Sequence, residues 1–334
     1  MKTLRVLSGL AGILLSLHAA AQVSADQDFQ ARCAAPGVVK CVGFDNTTTD
    51  IVRGVNLHPD GAGTYRGSLD TVTRASGGGS LRFDLPPPPH AGANIAGRWS
   101  PLSNDGLGQR FGQNSTFYLQ FRQRFSPEML NNTWDTGSAW KTVIFHMNQA
   151  TCAAIELTTH NRYLTNLAAM YTDCGGRGLS TNLANTAYTD SPPYLLQQAG
   201  YSCQYGQYST ASCFYFVPDE WLTFYYRVQI GTWDQPNSQV EAWVAREGGG
   251  YKQFIRVPNF ALHCNNDPCS QLPGSDEGYN NLTFTPYMTA LPPTSGRAGV
   301  TSRVWYDELI VSTQPIAAPQ PRVSPMPPAN VQVN

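Results

Sequence analysis

Nine residues, Phe117-Tyr118-Leu119-Gln120-Phe121-Arg122-Gln123-Arg124-Phe125, alternate in character along their length, and they limit the fold more than any other stretch. Period-two alternation marks a strand with one buried and one open face, because successive side chains leave opposite sides of the backbone. Phe117, Leu119, Phe121 and Phe125 share one side, with Gln123 as its single polar member. Tyr118, Gln120, Arg122 and Arg124 share the other. A solvated strand face usually mixes Thr, Ser, Lys and Glu. Two arginines, a glutamine and a tyrosine in one row instead suit the holding of carboxylates or sugars. The plainer alternative is a sheet face with ordinary surface charge.

The chain opens with Lys2 and Arg5, an apolar run from Val6 to Leu17, and Ala19-Ala20-Ala21. Residues 1–21 therefore read as a secretory signal cut before Gln22. No later segment approaches the roughly 18 apolar residues that span a bilayer, so a soluble, secreted protein (extracellular or periplasmic) is expected. All eight cysteines follow the signal, and an even count in an exported chain favours disulfides over metal thiolates. Their spacing suggests neighbour pairs, Cys33 with Cys41, Cys152 with Cys174, Cys203 with Cys213 and Cys264 with Cys269, although spacing does not fix connectivity. With 13% charged residues and a formal net charge of −1, the chain lacks the basic footprint of a nucleic-acid binder. A monomer with no membrane partner is expected.

Sixteen tyrosines, fourteen phenylalanines, seven tryptophans and thirty glycines point to an all-β protein. Strands are expected at 38–44, 80–85, 117–125, 140–148, 153–160, 222–230, 239–245, 253–257, 282–289 and 304–312, each alternating apolar and polar residues. Residues 161–220 are long, polar and dotted with cysteines, as expected of a functional loop held by disulfides. One antiparallel β-sandwich of the jelly-roll kind over residues 22–316 is the reading, with a Pro-rich disordered tail at 317–334.

Collecting the outward positions gives Gln120, Arg122, Arg124, His146, Glu156, His160, Tyr225, Arg227, Glu241, Trp243 and Tyr287. If their strands lie in one curved sheet, these residues line a groove suited to a polymer, with rings stacking on sugars and arginines pairing with carboxylates. Three stretches then carry a resemblance to a known group: Phe224-Tyr225-Tyr226-Arg227-Val228-Gln229-Ile230, Val240-Glu241-Ala242-Trp243-Val244-Ala245-Arg246-Glu247-Gly248, and Val304-Trp305-Tyr306-Asp307-Glu308-Leu309-Ile310-Val311. With the order of strands, they resemble the concanavalin A-like jelly rolls. Within these the chain is most similar, over roughly residues 38–316, to polysaccharide lyases of the alginate and glucuronan lyase type.

The resemblance implies β-elimination on an acidic polysaccharide, with no cofactor required. Such lyases carry an Arg-bearing strand, matched by Gln120, Arg122 and Arg124, then a Gln-x-His strand, matched by His146, and a late tyrosine, matched by Tyr287. The position two before His146 is Ile144, so Gln120 or Asn148 takes the place of the amide. The uronate carboxylate must be neutralised before the neighbouring proton can leave. On this resemblance Arg122 and Gln120 hold the carboxylate, His146 is neutraliser or base, and Tyr287 is base and acid, with Tyr225 in reserve. Tyr118, Arg124, Asn148, Glu156, His160, Arg227, Glu241 and Trp243 bind the chain.

Two other classes use the same groove. A glycoside hydrolase would need paired carboxylates, for which Glu156 and Glu241 are the outward candidates; Ala154-Ile155-Glu156-Leu157-Thr158 has Thr where a second acid would stand. A non-catalytic sugar-binding protein would need no placed base. Asp45 and Asp307 are candidates to share a structural calcium ion, or Asp45 only initiates a turn.

Overall fold

The computed structural model describes residues 23–51, 67–85, 99, 106–131, 139–147, 156–162, 167–173, 194–195, 214–233, 235–262, 278–286 and 300–320. In chain order they form α1 (Ala25–Cys33), β1 (Val38–Val42), β2 (Ser68–Asp70), β3 (Ser80–Leu85), β4 (Thr116–Phe125), α2 (Pro127–Asn131), β5 (Ala139–His146), β6 (Glu156–Arg162), β7 (Leu167–Asp173), β8 (Tyr194–Leu195), β9 (Leu222–Gln229), β10 (Pro236–Arg246), β11 (Lys252–Ala261), β12 (Asn281–Phe284) and β13 (Ser302–Ser312). Two sheets result, an eight-stranded one in the order β11-β10-β9-β4-β13-β3-β2 and a five-stranded one in the order β12-β5-β6-β7-β8. β1 joins the larger sheet by pairing with the second half of β13, beyond the stretch that β3 takes. Every pairing is antiparallel, and the two sheets make an all-β jelly-roll sandwich, as the alternation predicts.

β4 lies in the middle of the larger sheet, between β9 and β13. Its Phe117, Leu119, Phe121 and Phe125 are fully buried, as are Leu222, Phe224, Tyr226 and Val228 of β9. Across the sandwich Phe121 meets Phe284 of β12 at 4.9 Å between ring centres, and Tyr226 meets Phe145 of β5 at 5.1 Å. Each such ring contributes roughly 1.5–3 kcal/mol by leaving water. The hydroxyls are satisfied within the core: Tyr226 Oη lies 3.0 Å from Thr159 Oγ1, and Tyr306 Oη donates to Thr142 O at 2.8 Å. Gln123 is the exception. It is fully buried among these apolar residues, and neither amide atom has a hydrogen-bond partner.

The outer side of the larger sheet is partly closed by the two ends of the described chain. α1 starts at Ser24 with a reciprocal cap, in which Ser24 Oγ accepts from the Gln27 amide and Gln27 Oε1 accepts from the Ser24 amide. The Cys33–Cys41 disulfide ties α1 to β1, as the spacing suggests. Cys152, Cys174, Cys203, Cys213, Cys264 and Cys269 lie outside the described residues, as do most of the 161–220 loop and the expected signal at 1–21. Residues 317–320, expected to begin the tail, lie on the sheet instead. Ala317 O accepts from Gln120 and the Gln320 amide donates to Asp28. No helix among the described residues is long and apolar enough to cross a membrane.

Candidate functional site

The sandwich has two outer faces, and strand register assigns the candidate residues between them. On the five-stranded sheet, Phe145 of β5 stands opposite Leu157 of β6, and both enter the core. Their chain neighbours His146 and Glu156 therefore stand side by side on the outer face. Asn281 of β12 is opposite His146, and Asp173 of β7 is opposite Glu156, which completes one row. Thr283, Ile144, Thr158 and Tyr171 make the next. Lys141 and His160 make the third.

This outer face is built like an interior. His146, Glu156 and His160 are 7%, 4% and 1% exposed, and Asn281, Thr158 and Thr283 are buried with them. His146 Nε2 lies 3.0 Å from Thr283 Oγ1. The Thr158 hydroxyl, in the middle row, is buried without a hydrogen-bond partner. Lys141 and Ile144 are half-buried and give the face its opening to solvent. Beneath the face Tyr279 packs in the core against Phe117, where burial, reinforced by the negative charge of Glu156, pushes its hydroxyl far above its ordinary range, so that phenol stays protonated. Titratable groups gathered out of water in this way interact strongly and are a mark of functional sites.

Lys141 is a residue that plain alternation misses. Counting back from His146 by twos puts Thr142 outward and Lys141 inward. In the structure the register slips between Lys141 and Val143, so β5 spends one extra residue there. The bulge turns Lys141 to the face that carries His146 and His160, and lets Trp140 enter the core. The run Lys141-Thr142-Val143 carries no turn residue that would announce the slip.

The residues of β4 do something other than expected. Gln120 and Arg122 are buried, and the protein takes both ends of the Gln120 amide and the Arg122 Nη2, while Arg122 Nε is buried without a hydrogen-bond partner. Gln120 Oε1 accepts from Arg32 of α1 at 2.5 Å, while its Nε2 donates to Tyr251 Oη and to Ala317 O, each at 2.9 Å. Arg122 donates to Glu247 and lies 3.9 Å from Glu308. Arg122, expected to clamp a substrate carboxylate, is thus held by protein carboxylates, and Gln120 is spent on Arg32, Tyr251 and the Ala317 carbonyl. Arg124 donates to Asp219 at 2.9 Å and lies over the Trp305 ring. Tyr225 is no ready base either. Burial pushes its hydroxyl up to about 12, against the partial relief of the Ile316 amide donating to it.

Tyr118, Arg227, Glu241 and Trp243 form a patch on that same outer face of the larger sheet, with Arg227 donating to Glu241 at 2.7 Å. The expected single groove is therefore two surfaces. His146, Glu156 and His160 lie outside the five-stranded sheet; Tyr118, Gln120, Arg122, Arg124, Tyr225, Arg227, Glu241 and Trp243 lie outside the eight-stranded one. The core runs between them. Stacked sheets are about 10 Å apart, so Glu156 and Glu241, on opposite outsides, exceed the roughly 5–9.5 Å of a glycosidase pair. Tyr287 and Asn148 lie outside the described residues.

The calcium expectation does not fit the donors present. Asp307 is fully buried and accepts from the amides of Ala75 at 2.7 Å, Ser76 at 3.3 Å and Glu308 at 2.7 Å. Burial, and the neighbouring Glu308 carboxylate, push it well above the usual carboxylate range. Asp45 accepts from the amides of Gly78 and Gly79. Both carboxylates accept from N–H donors of one loop, Asp307 from Ala75 and Ser76 and Asp45 from Gly78 and Gly79, the polarity opposite to a cation's needs. Among the described residues no three His, Cys, Asp or Glu side chains gather as a metal group.

No family model matches the sequence, and no curated protein does. In structure the chain is similar to the PL-14 alginate lyase of Aplysia kurodai, at 10% identity and TM-score 0.47 over 83% of this chain and 99% of that one. It is similar to the endo-beta-1,4-glucuronan lyase of the fungus Trichoderma reesei, at 12% identity and TM-score 0.43 over 82% and 95%. It is also similar to the binding domain of botulinum neurotoxin serotype C1, at 8% identity and TM-score 0.34 over 77% and 46%. A likeness at this level spans enzymes and a binding domain, and the activity has to be argued from the site.

Proposed function

We propose that the protein is a secreted polysaccharide lyase that cleaves a uronic-acid-containing chain, of the glucuronan or alginate type, on the outer face of the five-stranded sheet. The observation that carries this reading is the β-bulge that brings Lys141 beside His160, on the face that holds His146 and Glu156. The Cys33–Cys41 disulfide suits an oxidising compartment, in keeping with secretion.

His146 and His160 stand four residues apart along the strands, about 13 Å at ~3.3 Å per residue. That is too far for both to act on one sugar ring. The reacting uronate lies over the second and third rows. Lys141 and His160 hold its carboxylate, which stabilises the charge that develops when the adjacent carbon loses its proton. Tyr287, which lies outside the described residues, is the base and acid in this reading, because a phenol beside a cation shifts toward its charged form. Its phenolate takes the C5 proton, the electron pair forms the C4–C5 double bond, and the C4–oxygen bond breaks. The same proton then passes to the departing oxygen, which leaves the enzyme as it began. His146, Glu156 and Asn281 bind the neighbouring sugar.

The test is the ultraviolet absorbance of the unsaturated uronate, measured on glucuronan, alginate and pectate. The reading expects a rise on at least one of them. Reducing ends released from a neutral glucan, with no absorbance on any polyuronate, would overturn it.

A further inference from the structure

Trp243, Tyr225, Tyr118 and Tyr251 form a continuous set of rings on the outer face of the eight-stranded sheet, away from the proposed catalytic face. Tyr225 stands at its centre, 5.5 Å from Trp243, 5.4 Å from Tyr251 and 6.2 Å from Tyr118 between ring centres. All four are half-buried, with Ile316 covering the Tyr118 and Tyr225 side. Beside the rings runs a polar row that is already assembled. Arg227 donates to Glu241 at 2.7 Å and to Gln229 at 2.6 Å, and Arg256, which is opposite Glu241 in register, lies 3.8 Å from it.

We propose that this surface is a second polysaccharide-binding site, taking an extended acidic chain and serving no catalytic step. Pyranose rings have an apolar face of C–H bonds that stacks on aromatic rings, and rim hydroxyls that need paired donors and acceptors; rings flanked by an arginine–carboxylate–amide row supply both. An anionic chain suits the row, since among the described residues two guanidinium groups, Arg227 and Arg256, both lie against one carboxylate, Glu241. The Arg256 side chain is 58% exposed, within reach of a ligand from solvent. A protein partner fits the surface less well. The exposed large hydrophobic residues among those described are four valines, Val23, Val72, Val217 and Val300, none of them in this patch, so the aliphatic anchors of a protein interface are missing. The site lies across the core from Lys141 and stands whether or not the lyase reading does.

Affinity electrophoresis of the full chain through gels containing glucuronan, alginate or a neutral β-glucan tests it. Lys141→Ala, which removes only a contact of the catalytic face, is expected to keep most of the wild-type retardation by a polyuronate. Trp243→Ala is expected to weaken that binding about tenfold, as for loss of a stacking anchor, and Trp243→Phe to restore most of it. Arg256→Glu, on an exposed side chain that leaves the fold alone, is expected to lose polyuronate retardation and to leave any glucan retardation unchanged. Wild-type mobility of both Trp243→Ala and Arg256→Glu in polyuronate gels would overturn the proposal, as would retardation lost only in Lys141→Ala. Retardation that depends on Trp243 in a protein forming no unsaturated product would sink the lyase reading and leave this site standing.

Discussion

Arg32 of α1 and Glu308 in the bulge of β13 form a buried ion pair, their side chains 3% and 1% exposed. Glu308 reaches it from a left-handed backbone conformation at φ 51°. The pair ties the start of the described chain to its last strand, and Asp28 and Gln120 complete the shell of the guanidinium. Arg32→Met leaves Glu308 short of its main partner in a low-dielectric site, and should cost about 3–5 kcal/mol. Urea denaturation checks this, and adding Glu308→Gln to Arg32→Met should return part of the loss.

Gln123 supplies a stabilising substitution. Its amide is buried in the core with no partner, which costs about 1–3 kcal/mol of desolvation that nothing repays. Gln123→Met, which keeps the length of the side chain, should raise stability by about 1–2 kcal/mol. The checking measurement is the denaturation midpoint at unchanged slope.

The acid limb of stability should depend on Asp70. Burial alone would raise its carboxyl, but hydrogen bonds from the Trp305 indole, the amides of Val72 and Thr73 and the Arg82 guanidinium outweigh it and hold the group at about 2. A folded-state value below the unfolded one means stability that is present above about pH 4 and is lost as pH falls toward 2. The loss is on the order of 2 kcal/mol. Melting temperature followed against pH should fall across that window in wild type and fall less in Asp70→Asn, which starts lower at neutral pH.

Tyr225→Phe separates a structural tyrosine from a catalytic one. A hydroxyl at about 12 is protonated at neutral pH and here accepts from the Ile316 amide. The substitution should keep the rate of unsaturated-product formation and lower stability by about 1 kcal/mol. A collapse in rate with an unchanged melting temperature would contradict it.

Much of the architecture was legible because alternation is a local signal. Nearly every strand outside the long 161–220 loop follows from which residues alternate, and Phe117, Leu119, Phe121 and Phe125 enter the core as their spacing says. What alternation cannot show is which sheet a strand joins. β4 and β5 are consecutive strands in sequence, yet among the described residues β5 pairs within the smaller sheet. For that reason Arg122 and His146, both outward by parity, end on opposite sides of the molecule. The bulge at Thr142 hid Lys141, since one inserted residue reverses the parity of everything before it. α1 also escaped, because Phe29 is its single large apolar residue and its contacts are mostly polar.

The central claim, that chemistry belongs to the face of Lys141 and not to the face of Arg122 and Arg124, is tested most directly by the initial rate of unsaturated-uronate formation in Lys141→Ala and Arg124→Gln. The account predicts a fall of about 10²–10³-fold for Lys141→Ala, as for loss of one group that stabilises developing charge, with its melting temperature unchanged and Arg124→Gln close to wild type. A wild-type rate in Lys141→Ala together with a collapse in Arg124→Gln would contradict it.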